Sequence, residues 1–180
     1  MSELDTLVEV LGLKALDRAG WSRARVGRPE SVAAHSWGVA WLVLLFLPDD
    51  LDQERALTYA VLHDLAEVRV GDLTPHDGVS KAEKAARETT AITDLLASLP
   101  RGDSLLQTWH DYENQIDAEA RFVRQLDRLD MALQAERYRR EGAAGLGEFV
   151  DSAAEVIVDE RLRRVLKAVQ RAAAGSGRDR

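Results

Sequence analysis

The 180-residue chain is 46% hydrophobic and 31% charged, which gives enough apolar side chain for one core and excludes a disordered segment. Its net charge of −7 provides no basic field to draw it to nucleic acid or an anionic membrane. With no cysteine, it has no route to disulfides, thiolate zinc sites, iron–sulfur clusters or a cysteine nucleophile.

The first stretch, MSELDTLVEV, is acidic and has no basic n-region, so no signal peptide is expected. Leu4, Leu7, Val8 and Leu11 form a helical stripe opened by Ser2 and Asp5, ending at Gly20. A basic, irregular stretch from Trp21 to Arg28 leads to a second helix that starts near Pro29–Ser31 and stops at Phe46, before Pro48. The longest apolar run, Trp37 to Leu47, is far shorter than the roughly 20 residues that cross a bilayer. Asp52 can cap a third helix through Glu67, with Ala56, Leu57, Ala60, Val61 and Asp64 on or beside one face. Gly71, Pro75 and Gly78 mark a loop. Ser80 and Glu83 read as a capping box for a fourth helix ending near Leu99. Beyond Pro100 and Gly102, Leu105, Leu106, Trp109 and Tyr112 suggest a shorter fifth helix.

A long sixth helix spans about 117–140, with Phe122, Val123, Leu126, Leu129 and Leu133 inward. Gly142, Gly145 and Gly147 precede a last amphipathic helix carrying Phe149, Val156, Ile157, Leu162, Val165, Leu166 and Val169. No period-two stretch is long enough for a sheet. The expected fold is all-α, one helical bundle of about six to eight helices over 1–173, with a flexible tail at 174–180.

Polar residues sit where such a bundle should bury apolar ones. His35 shares the stripe of Val32, Val39, Leu42 and Phe46; His63 and Asp64 interrupt the apolar run TYAVLHDLAEV; Asp127 shares a face with Val123, Leu126 and Asp130. Burying these groups unpaired is costly. Two imidazoles and two carboxylates around one divalent cation would satisfy all four, and such a set suits iron, manganese, cobalt, nickel or zinc. Taken singly, each has a plainer reading: His35 as a hydrogen-bonded core residue, Asp127 as an ion pair with Arg124 or Arg128, and Glu67 as a solvated partner of Arg69.

Three blocks, PESVAAHSWGVA (29–40), LHDLAEVRVGDLTPHDGVSKAEKAARE (62–88) and AEARFVRQLDRLDMALQAERY (118–138), decide between these readings. Together they resemble the HD-domain metal-dependent phosphohydrolases, and within them the 5′-deoxynucleotidases, over about residues 10–140. The second block is the most specific, because HD proteins in general share its His-Asp pair but not the E…GD…P…SK..EK continuation. The resemblance implies an HD-domain bundle with its metal-binding core at about 29–138. It makes His35, His63, Asp64 and Asp127 the metal ligands and Glu67 and Asp72 the catalytic acids, near the attacking water and near the sugar or an additional magnesium ion. Arg18 and Trp21 match residues that orient phosphate, joined by Asp72, Leu73, Thr74, Pro75 and Lys81 around the substrate; Lys84 is a further cation nearby. Ala34 departs from the pattern, which usually has an acid before the first histidine.

The implied reaction is hydrolysis of (deoxy)nucleoside 5′-monophosphates by a cytoplasmic enzyme, a homodimer at the family level, whose last helix has an exposed arginine face that could meet another subunit. Competing readings are hydrolysis of a nucleoside triphosphate, cyclic nucleotide or specialised metabolite, and a non-catalytic nucleotide-binding module. His76 lies in a Pro/Gly loop and His110 has no evident partner, so a histidine-rich diiron centre is disfavoured.

Overall fold

In a computed structural model that describes residues 2–175, the chain folds as helices joined by short turns. Among the described residues there is no strand, only an isolated bridge between Asp17 and Ser31. The tail expected at 174–180 is in part helical, since the last helix runs through Gly175; residues 176–180 lie outside the described residues.

Helix α1 (Glu3–Val10) opens on a complete capping box between Ser2 and Asp5. Its apolar stripe faces outward: Leu4, Leu7, Val8 and Leu11 are all more than half exposed. The helix docks instead by polar groups, through the buried Thr6 hydroxyl on Ser98 (2.9 Å) and Glu9 on Arg69 (2.7 Å). A 3₁₀ turn (Leu11–Lys14) then leads to α2 (Ala19–Arg23), a short helix inside the stretch expected to be irregular.

Helix α3 (Val32–Phe46) starts at its Ser31 cap, whose side chain accepts from the Ala34 N–H. The Arg18 N–H donates to the Glu30 carbonyl and the Val32 N–H to the Leu16 carbonyl, at 3.0 and 2.9 Å. These bonds fasten the Arg18 segment beside the entry to α3.

The third helix expected from Asp52 to Glu67 is two helices, α4 (Gln53–Leu62) and α5 (Glu67–Val70). Between them Leu65 and Glu67 donate three residues back, to Leu62 and Asp64, so the ladder tightens instead of continuing as an α-helix. Val61, placed on or beside an inward face by periodicity, is 60% exposed.

Helices α6 (Lys81–Leu96), α7 (Gly102–Glu113) and α8 (Ala118–Arg140) follow. At α6 only half the expected capping box forms: Ser80 accepts from Glu83, whose carboxylate pairs with Arg87 instead of reaching back. The expected last helix is also two, α9 (Gly147–Val156) and α10 (Glu160–Gly175). Gln125 on α8 makes that corner, its side-chain carbonyl accepting from the Val158 and Asp159 N–H groups at 2.8 and 2.9 Å.

Helix α8 is the axis of the bundle, packing against α3, α4, α7, α9 and α10. Val39, Leu42, Val43, Tyr59, Leu126, Leu129, Leu162 and Leu166 fill the main core. A second cluster, including Val32, Leu62, Leu65, Ile92 and Trp109, lies under the α4–α5 turn. A third joins Trp21, Tyr138 and Phe149. The polar residues singled out above lie between these apolar clusters.

Candidate metal centre and its pocket

His35 points from α3 into the bundle and is fully buried; His63 ends α4, and its ring is nearly as buried. The His63 Nδ1–H donates to the Ala60 carbonyl at 2.9 Å, and the His35 Nδ1–H to Asp130 Oδ2 at 2.8 Å. Both rings therefore direct Nε2 inward, and these atoms lie 3.3 Å apart. Two imidazole lone pairs cannot face each other at that distance without a proton or a cation between them. Asp64 Oδ2 stands 3.3 Å from His63 Nε2 and 3.8 Å from His35 Nε2; Asp127 Oδ1 is 3.2 Å from His35 Nε2. The ligand atoms of His35, His63 and Asp64 all lie within 4.8 Å of one another. The four residues expected as ligands thus converge, and their nitrogen and carboxylate donors fit a divalent transition metal.

The electrostatics point the same way. Burial and Arg18 each pull the His35 pKa down, but Asp127 and Asp130 outweigh them and lift it to about 9. The carboxylates around His35 thus favour positive charge at this point. Burial alone would raise Asp64 and Asp127, yet the histidines with Arg18 beside Asp64, and His35 with Arg128 beside Asp127, hold both well below the usual carboxylate range. Glu67 is displaced upward, by its burial first and then by Asp64 and Asp72. Its Oε2 is buried with no hydrogen-bond partner among the described residues, a costly condition that a cation or a water would relieve.

Arg18 reaches across from the segment before α2. Its Nη1 donates to Asp64 Oδ2 at 2.8 Å, and its Nε lies 3.9 Å from Asp72 Oδ2. The same Asp72 oxygen accepts from the Ala19 N–H at 2.8 Å, holding the segment in place. Trp21 is buried against Phe149 (ring centroids 4.0 Å apart) and Tyr138, and its indole N–H donates to Glu30 at 2.9 Å, so toward the pocket it offers ring surface.

Arg18, Asp64, Glu67, Asp72 and Asp127 line a cavity of about 560 Å³ together with Trp21, Leu73, Thr74 and Lys81. Lys84 lines it too, its Nζ donating to the Leu73 carbonyl at 3.0 Å and pairing with Glu88. Thr74 accepts from Arg23 at 2.6 Å, and Pro75 opens the 3₁₀ turn Pro75–Asp77. Met131, Arg128 and Phe149 also line it. Sequence reasoning missed these three as lining residues, along with the part Asp130 and Glu30 play behind His35. Only the inward position of Asp130 beside Asp127 hinted at its place. His76 is exposed, His110 packs on Trp109, and neither joins a close group of ligand atoms among the described residues.

The family model for the HD domain matches residues 10–169. The chain belongs to the HD-domain family. The human 5′-deoxynucleotidase HDDC2 is 39% identical over 146 residues, 79% of this chain and 72% of its own. The 5′-deoxynucleotidase hdd1 of Schizosaccharomyces pombe is 34% identical over 145 residues, 76% and 73% of the two chains. Among solved structures, a protein from Pyrococcus horikoshii OT3 superposes with a TM-score of 0.79 at 30% identity, covering 94% of this chain and 99% of that one. A predicted metal-dependent phosphohydrolase from Magnetospirillum magnetotacticum MS-1 gives 0.74 at 25% identity, covering 97% and 92%. An HD domain implies a divalent metal, and the His/Asp cluster supplies a site for one. Ala34, where an acid is usual, is exposed on α3 and faces away from the buried His35 ring.

Proposed function

We propose that this HD-domain protein hydrolyses nucleoside 5′-monophosphates, preferring deoxynucleotides, to nucleoside and phosphate. The observation that carries the proposal is the convergence of His35, His63, Asp64 and Asp127 beside a cavity lined by Asp64, Asp127, Arg18 and Glu67, whose Oε2 has no hydrogen-bond partner among the described residues. The relation to chains named 5′-deoxynucleotidase narrows the substrate.

We assign His35, His63, Asp64 and Asp127 as the ligands of one divalent ion, cobalt, manganese, iron, nickel or zinc. That ion would neutralise phosphate charge and lower the pKa of a bound water. Arg18, kept cationic by Asp64 and Asp72 despite its burial, uses one of its five N–H donors on Asp64 and offers others to phosphoryl oxygens. Glu67, a carboxyl raised well above its usual range, accepts the proton of the attacking water as its oxygen bonds phosphorus and the P–O5′ bond breaks, and that proton then passes to the departing O5′.

Asp72 holds the Arg18 segment with Oδ2, and its other oxygen is assigned to a sugar hydroxyl or to an additional magnesium shared with Glu67. Leu73, Thr74 and Lys81 line the loop side of the assigned substrate site, with Pro75 assigned to it as the next residue in the chain, and the apolar surface of Trp21, Met131 and Phe149 suits a nucleoside. The volume lies within the usual 300–1,000 Å³ for small-molecule sites.

A homodimer and a cytoplasmic setting belong to the same proposal. The exposed apolar face of α3 (Trp37, Trp41, Leu44, Leu45) favours the first. No described helix is long and apolar enough to cross a membrane.

The test is phosphate release from chelator-treated protein resupplied with cobalt, manganese or magnesium, on deoxy and ribo 5′-monophosphates beside triphosphates and cyclic nucleotides. Metal-dependent release favouring the deoxy 5′-monophosphates is expected. Release from triphosphates or cyclic nucleotides alone would move the site to another substrate, and binding without release would make the protein a nucleotide-binding module.

A further inference from the structure

Asp130 lies one turn beyond Asp127 on α8 and points into the same layer, behind His35. Its Oδ2 accepts the His35 Nδ1–H at 2.8 Å, and the carboxylate is mostly buried. Across the interface α3 carries a buried glycine, Gly38, in mid-helix. A Cβ there would fall 2.9 Å from Asp130 Cγ and closer still to Oδ1. Glycine is unfavourable in a helix interior relative to alanine, and here it leaves the clearance that the Asp130 carboxylate occupies.

A neutral imidazole has one lone pair. With Nδ1 protonated and bonded to Asp130, the lone pair of His35 resides on Nε2, beside Asp64, Asp127 and His63. The ligand atoms of Glu30, His35 and Asp130 also lie within 4.8 Å of one another. That group cannot hold a second ion while His35 serves the first, because the nitrogen it offers carries the proton. Glu30 accepts from the Trp21 indole, which ties it to the pocket wall. His63 differs from His35 in having only the neutral Ala60 carbonyl behind its ring.

We infer that Asp130 is the positioning residue of the metal centre, fixing the tautomer and orientation of His35 and making it the stronger imidazole donor, with Gly38 as the clearance that admits it. The inference rests on the reading of His35 as a metal ligand. A carboxylate behind a ligating histidine commonly accounts for about 10- to 100-fold in metal affinity.

The experiment is cobalt binding to chelator-stripped full-length protein, read as affinity against a competing chromophoric chelator and as the visible cobalt spectrum, with circular dichroism and melting of each variant. Asp130→Ala is expected to weaken cobalt binding by about 10- to 100-fold and shift the cobalt band. Asp130→Asn, which keeps an acceptor for Nδ1–H but no charge, should fall between it and the wild type. Gly38→Ala, which alters no polar group, should weaken binding by displacing the carboxylate. Affinity within about twofold of wild type, with an unchanged band, in a folded Asp130→Ala protein would overturn the inference. Should that variant not fold, the same result for the isosteric Asp130→Asn decides. Wild-type cobalt affinity in His35→Ala would instead refute the ligand assignment itself, which separates the two failures.

Discussion

Glu67 concentrates the chemistry at the scale of single residues. A buried carboxyl with an unpartnered oxygen, raised by burial and two neighbouring acids, is a poor structural group and a good proton acceptor. Glu67→Ala should keep the fold and the metal while lowering kcat at least about 100-fold, the usual scale for losing a general base; parallel metal analysis and steady-state kinetics check this, and a near-wild-type rate at saturating metal would remove Glu67 from the reaction. The metal-free protein has a pH signature of its own. The folded pKa of His35, about 9, exceeds its unfolded value of about 6.5. Its stabilising contribution is therefore complete below pH 6.5 and lost as pH rises through 9. Glu67, also raised, acts in the same direction from lower pH. Melting of stripped protein should therefore show stability falling as pH rises from 6.5 through 9. A stability that rises over that range would contradict the upward displacement of His35 by Asp127 and Asp130. The four ligand candidates could be read from single residues because each interrupts an apolar pattern. Asp130 and Glu30 could not, because their roles depend on how α3 and α8 meet, which one chain's periodicity does not encode.

Among the helices, periodicity found nearly every segment and failed where two structures share one pattern. His63 and Asp64 sit in what reads as a continuous helix. The tight turn from Leu62 to Glu67 is local geometry imposed by packing over Leu62, Leu65 and Trp109. The stripe of α1 is periodic but faces solvent, since its docking runs through Thr6 and Glu9. Helix α3 carries apolar residues on two faces, the inward stripe of Val32, His35, Val39 and Leu42 and a second set that periodicity does not single out. Val39, Leu42 and Val43 face the core, while Trp37 and Trp41 are 70% and 48% exposed with Leu44 and Leu45 beside them. In the proposed homodimer this patch is the surface that would be covered, in contrast to α10, whose arginines face solvent opposite a buried Leu162, Leu166 and Val169. Light scattering should therefore give a dimer mass for the wild type and a monomer for a Trp37→Glu, Leu44→Glu double variant. A monomeric wild type would contradict the α3 interface.

In the whole molecule, helices far apart in sequence bring the four candidate ligands to one point: α3 gives His35, the end of α4 gives His63 and Asp64, and α8 gives Asp127. Arg18 is fastened to the entry of α3, and α9 closes the far wall with Phe149. Carboxylates gathered this closely should repel one another without a cation, so under the proposed function metal binding would couple the stability of the bundle to its activity. The most direct test is titration of chelator-stripped protein with cobalt while phosphate release from a deoxynucleoside 5′-monophosphate is followed. The account predicts negligible release from stripped protein, a rise that saturates near one equivalent of metal, and no recovery in His63→Ala. Full release from the stripped wild type, or from the metal-depleted His63→Ala variant, would contradict it.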